Sequence, residues 1–140
     1  MERHASAQWK GGLKGGKGTV STATGVLKGV PYSFSMRFEN EPGTNPEELV
    51  AAAHAGCFSM ALSAELEKAG FQPESVETKA TLYFEKMEGG WTTKSIHLDV
   101  GGKVPGADPA KFQAAAEAAK KGCPISRLLK TEITMSARLL

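Results

Sequence analysis

Polar and apolar positions alternate in some stretches of this chain and recur at helical spacing in others. From Pro31 to Phe38 the alternation is strict, with Tyr32, Phe34, Met36 and Phe38 on one face and Ser33, Ser35 and Arg37 on the other, which predicts a strand with an aromatic core face. Val76, Thr78, Ala80, Leu82 and Phe84 alternate in the same way, and after a turn at Gly89-Gly90 so do Ile96, Leu98 and Val100, which predicts a hairpin. A last strand is expected from Ile133, Met135, Ala137 and Leu139.

Between these strands the helix signals are local. Asn45 is suited to cap a helix, Pro46 to open it, and Glu48 to complete an arrangement like a capping box, so that Glu47 is left without a structural task. This helix should run through Cys57 to about Lys68 and stop at Gly70; its many Ala residues, with Gly56 and Ser59, suit burial on most sides or the close approach of another backbone. A second helix should be capped by Asp108, opened by Pro109 and ended at Gly122, and Pro124 should start a short third one with Cys123 as its N-cap. The expected order is three strands, a helix, two strands, a helix with a short third, and a last strand. That is an α+β domain with a mainly antiparallel sheet and a central helix carrying Cys57, read as a single domain over residues 1–140.

Composition narrows the class. With 140 residues, 41% hydrophobic and 23% charged, the chain is of the globular type, and a net charge of +2 is too small to make nucleic acid or an anionic membrane the main partner. The start, Met1-Glu2-Arg3-His4, has no apolar segment behind it, and the apolar run from Leu49 to Leu62 is interrupted by His54 and short for a bilayer span. A cytoplasmic location is expected, where a disulfide between Cys57 and Cys123 would be a catalytic intermediate rather than a permanent link.

Gly11 to Lys17 fits G-x-x-x-x-G-K, but Gly18 stands where a phosphate loop needs Ser or Thr, and Thr19-Val20-Ser21-Thr22 reads as a strand, so a glycine-rich turn between strands is expected. His54-x-x-Cys57 sets two metal ligands one turn apart, with Cys123, His97 and His4 as further donors, yet the paired spacings of a zinc site are missing and no metal is expected. A working cysteine attacks as thiolate and needs a cation, a helix N-terminus or a base. Cys123 has a helix N-terminus by local sequence; Cys57, in mid-helix, depends on neighbours such as Arg37 or on His54. For either thiol an inert buried cysteine is the ordinary alternative, as solvent exposure is for Arg37.

Four segments carry a family resemblance: Gly16 to Thr22, Gly43 to Leu49, Ala52 to Leu62 and Gly122 to Ser126. They resemble the osmotically inducible protein C (OsmC) family, which also contains the organic hydroperoxide resistance proteins, over nearly the whole chain. His54 is more like the OsmC branch, and Gly56 departs from a common alanine. The resemblance implies a thiol peroxidase in which Cys57 is peroxidatic and Cys123 resolves, with Arg37 holding the thiolate and Glu47 orienting Arg37. It also implies a dithiol reductant such as a protein-bound dihydrolipoyl group, and no metal or organic cofactor; the apolar residues around Cys57 lead to organic hydroperoxides as the preferred substrates, with hydrogen peroxide the weaker one. Ala53, Phe58, Met60 and Ala61 are expected to receive an alkyl group.

On one continuous helix Glu47 and Cys57 would stand roughly 15 Å apart along the axis. This predicts an intertwined homodimer in which Glu47 serves the Cys57 of the other subunit, unless the helix breaks and Glu47 acts in its own chain. The alternative function is a non-enzymatic protein that binds a small apolar ligand at the dimer interface, with incidental thiols.

Overall fold

The computed structural model describes residues 1–140, which form two compact units, Met1–Leu49 and Val50–Leu140. In the first unit strands β1 (Ala5–Lys10), β2 (Lys17–Thr22) and β3 (Val30–Ser33) make an antiparallel sheet in that order. The glycine-rich segment from Gly11 to Gly16 is the turn between β1 and β2, as expected. Rings of Trp9 and Tyr32 lie 5.2 Å apart across the sheet.

The strand expected over Pro31 to Phe38 ends at Ser33, and a short helix α1 (Phe34–Phe38) takes its place. Two causes act together. The Ser33 hydroxyl accepts a hydrogen bond from the Met36 N–H and so caps a helix start. Phe34 and Phe38 are four apart, which suits a helix as well as an alternating strand, and their rings meet at 4.8 Å. The aromatic positions are half-buried, and no residue of α1 is fully buried.

Helix α2 (Pro46–Lys68) begins at the end of the first unit and continues in the second. Asn45 Oδ1 accepts from the Glu48 N–H at 2.8 Å, and Gly70, with φ of +88°, terminates the helix. By length and composition α2 could cross a membrane, but His54, Phe58, Leu62 and Leu66, spaced four apart, form a fully buried stripe, as in the core helix of a globular unit. On the single chain Ala52, Ala53, Gly56, Met60 and Ala64 are exposed, so α2 is not buried on most sides within one chain.

The second unit holds a three-stranded sheet in the order β4 (Ser75–Met87), β5 (Gly90–Lys103), β6 (Glu132–Leu139). β4 and β5 form the expected hairpin; β5 and β6 are parallel, the return being made through helices α3 (Pro109–Gly122) and α4 (Pro124–Leu128). The fold is α+β with three antiparallel pairings and one parallel, divided between two sheets rather than one. Ile96, Leu98 and Val100 on the inner face of β5 share a core with Phe58, Leu62 and Leu66 of α2, Phe112 and Ala116 of α3, and Cys123. α3 starts as expected, with Asp108 accepting from the Lys111 N–H at 2.8 Å and Pro109 in the first turn.

Candidate active site

In the second unit Cys57 and Cys123, distant in sequence, come together as free thiols with their sulfurs 3.1 Å apart. Cys57 sits in the middle of α2; Cys123 follows α3 directly, and its N–H bonds back to the Ala119 carbonyl. Pro124 prevents α3 from continuing and opens α4 with Cys123 as its N-cap, which turns the thiol back toward α2. Cys57 is half-buried while Cys123 is 0% exposed. Of the two, Cys57 is therefore the one a solute reaches.

The thiol pair does not by itself activate Cys57. Burial raises the Cys57 pKa above its ordinary value, and the hydrogen bond with Cys123 raises it further by favouring the shared proton. The backbone N–H of Ile125, in the first turn of α4, acts in the opposite direction. The helix start that sequence assigned to Cys123 thus also presents an amide to Cys57. No side-chain hydroxyl or amide caps α4, because its N-cap is a cysteine.

His54, one turn before Cys57, does not serve as its base. Its Nε2 lies 2.8 Å from Ser126 Oγ, both residues are buried, and its Nδ1 has no partner. Burial lowers the His54 pKa, so the ring is neutral near pH 7. His54 stands out in the sequence as a candidate, whereas Ser126 does not. The available signal was the matching spacing of His54-x-x-Cys57 and Cys123-x-x-Ser126, which places each partner one turn from a thiol. His97 is engaged by Thr134 at 2.6 Å and by Ser136 of β6, and no three His, Cys, Asp or Glu side chains converge as a metal-binding group.

Arg37 and Glu47 meet in the first unit. Arg37 Nε lies 3.1 and 3.2 Å from the two Glu47 carboxylate oxygens, and Nη2 donates to Oε1 at 2.7 Å. This is a charge-assisted contact through two guanidinium nitrogens that a lysine could not reproduce. The first turn of α2 supplies Glu47, and the last turn of α1 supplies Arg37, so the α1 helix that the alternation hid is what positions the cation. The Arg37 guanidinium also lies 5.1 Å from the centre of the Phe38 ring. Beside it is a cavity of about 220 Å³ lined by Trp9, Leu13, Tyr32, Ser33, Phe34, Arg37 and Phe38.

Of the residues expected to receive an alkyl group, Phe58 is 0% exposed in the core, and Ala61 packs against that core. Only Ala53 and Met60 are exposed on the chain. The reason is helical phase: residue 58 continues the buried stripe of Leu62 and Leu66.

Comparison with known proteins finds relatives over nearly the whole chain. The OsmC-like protein family matches residues 38–138. Peroxiredoxin OsmC of Escherichia coli (strain K12) is 49% identical over 139 residues, which are 99% of this chain and 97% of that protein. Organic hydroperoxide resistance protein OhrB of Bacillus subtilis (strain 168) is 29% identical over 128 residues, 90% of this chain and 92% of its own. The crystal structure of the Bacillus subtilis OhrB superimposes with a TM-score of 0.73 at 25% identity, covering 98% of each chain. With a thiol pair built between α2 and the α3–α4 turn, and with this extent of sequence identity, the chain belongs to the OsmC-like family.

Proposed function

We propose that this chain is a thiol-dependent peroxidase that reduces organic hydroperoxides, and hydrogen peroxide more weakly, through a two-cysteine cycle. The observation that carries the reading is the pair of free thiols at 3.1 Å, one accessible and one buried. Membership in a family whose relatives are named peroxiredoxin and organic hydroperoxide resistance protein supports it.

The Cys57 thiolate attacks the terminal oxygen of the hydroperoxide, the O–O bond breaks, and the alkoxide leaves as an alcohol after taking a proton. Cys57 is then a sulfenic acid. The Cys123 thiolate attacks the Cys57 sulfur and displaces the oxygen as water, leaving a Cys57–Cys123 disulfide. An external dithiol, such as a protein-bound dihydrolipoyl group, reduces that disulfide and is itself oxidised. The protein requires no metal or organic cofactor for this cycle.

Because its own surroundings hold Cys57 as a thiol, the cycle needs a cation brought to it. In this reading Arg37 supplies the charge and polarises the peroxide, and Glu47 fixes the guanidinium through the contact described above. The cavity beside Arg37 receives the organic group. Glu47 and Cys57 occupy one continuous helix, roughly 15 Å apart along its axis. The exposed small residues of α2, with Met60 at 77% exposure, suit a second copy packed on the helix. The reading is therefore an intertwined homodimer over residues 1–140, with Glu47 serving the partner's thiol, acting in the cytoplasm where dithiols are kept reduced.

Peroxide turnover with several dithiols tests the cycle. Cys57→Ser should consume no peroxide; Cys123→Ser should complete one turnover and leave a trappable sulfenate at Cys57. Sulfenate found only at Cys123 of the unaltered protein would reverse the roles, and no turnover with any dithiol would end the reading. For the dimer, mixing Cys57→Ser and Glu47→Gln proteins after dissociation should restore activity. Heterodimers that stay inactive would place Glu47 in its own chain.

A further inference from the structure

Two contacts, each one turn from the other, join α2 to the short helix that carries the second thiol. One is Cys57 to Cys123 at 3.1 Å; the other is His54 Nε2 to Ser126 Oγ at 2.8 Å, with His54 at 0% and Ser126 at 8% exposure. The peroxide chemistry uses only the first. Yet α4 has five residues and an N-cap without a side-chain bond, too little to hold its own position. Ile125 and Leu129 pack it against the core by non-directional contacts; Ser126 gives it a directional bond to α2.

We infer that the His54–Ser126 hydrogen bond is a positioning device for the resolving step, holding Cys123 in line with the sulfur of Cys57 while that sulfur carries oxygen. This rests on the two-cysteine reading above. When Cys57 becomes sulfenic acid, Cys123 must approach from the side opposite the departing oxygen and close from 3.1 Å to a bond of about 2.05 Å. A closure of that size needs no rearrangement of the fold if α4 keeps its register on α2. It is lost if α4 swings free, because reactions held at contact distance are steeply sensitive to misplacement. His54 is neutral in this role, since burial lowers its pKa, and with Nδ1 unpartnered its one polar contact is Ser126. The bond is shielded from water at both ends.

The test separates the two chemical steps. In Ser126→Ala the second-order reaction of Cys57 with cumene hydroperoxide should keep its wild-type rate, while conversion of sulfenate to disulfide should slow by about tenfold. Ser126→Thr, which keeps the hydroxyl, should restore it. His54→Phe should slow the same step, and the double variant should be no slower than either single one, because both remove one bond. Equal slowing of both steps, additive effects, or wild-type resolution in Ser126→Ala would overturn the inference.

A second readout does not involve peroxide. With Cys57 converted to a mixed disulfide by 2,2′-dithiodipyridine, ring closure by Cys123 should show the same tenfold loss in Ser126→Ala. If the unaltered protein closes this ring quickly and Ser126→Ala does not, the positioning role holds even where peroxide turnover fails; equal ring closure in both would overturn it.

Discussion

Oxidation by peroxide should make the folded chain markedly harder to unfold, and the size of the effect follows from where the thiols lie. A bond between Cys57 and Cys123 closes a loop of 66 residues. In the chain-entropy account such a closure removes freedom from the unfolded chain worth roughly 4 kcal/mol at 25 °C. The native state opposes this little, since the sulfurs already stand 3.1 Å apart and need move only about 1 Å. For a chain of 140 residues that increment corresponds to a rise in melting temperature on the order of 10 °C. The assay is scanning calorimetry of dithiol-reduced protein and of protein treated with one equivalent of cumene hydroperoxide, at equal concentration, with free thiols counted before each scan. Two thiols should disappear per peroxide consumed, and the oxidised protein should melt higher. Cys123→Ser, which cannot close the loop, should show no such rise. An oxidised protein that melts with the reduced one, although its thiols are gone, would refute the reasoning, as would an equal shift in Cys123→Ser.

Arg37→Lys keeps the charge but cannot make the fork to Glu47, so turnover should fall by roughly tenfold or more with little change in stability; wild-type turnover would remove Arg37 from the site. Cumene hydroperoxide should react faster than hydrogen peroxide in stopped-flow measurements, and equal rates would argue against an organic-group cavity beside Arg37. Asn45→Ala removes the cap of α2 and should cost about 1 kcal/mol in urea unfolding, a loss that should vanish if the Glu48 N–H has another acceptor. Gly102→Ala would set a methyl group against the Phe112 ring, 2.7 Å from its Cζ, and should destabilise by about 1–3 kcal/mol; an unchanged denaturation midpoint would mean that Phe112 yields freely. Since burial lowers the His54 pKa below 6.5, the unfolded chain takes up its proton first as pH falls. Stability from this group is complete above 6.5 and declines as pH drops toward the folded-state pKa, so His54→Phe should flatten the melting profile between neutral and mildly acid pH, and an unchanged slope would sink the claim.

Local features of the sequence decided the elements of this protein. Asn45-Pro46 and Asp108-Pro109 start helices because a side-chain oxygen and a ring without an N–H answer the needs of the first turn within a few residues. The strands of the hairpin and the last strand follow from alternation, and Pro124 alone makes Cys123 the start of α4. Where two periods coincide, alternation misleads: Phe34 and Phe38 fit a strand and a helix alike, and the Ser33 cap settles it in favour of α1.

What tertiary structure decided is everything that joins residues far apart. The sequence names two cysteines, yet only the fold of α3 and α4 back onto α2 sets their sulfurs 3.1 Å apart. It likewise takes the chain's path to set Ser126 against His54 and to turn an amide of Ile125 toward Cys57. The parallel pairing of β5 with β6 depends on the helical crossover, which no periodicity within either strand encodes. Propensity and capping act over three or four residues, whereas a thiol's reactivity is set by whatever the core brings within a few ångströms of it. Residue types near Cys57 could therefore suggest its chemistry, while its raised pKa and its partner became defined only when α2, α3 and α4 packed together.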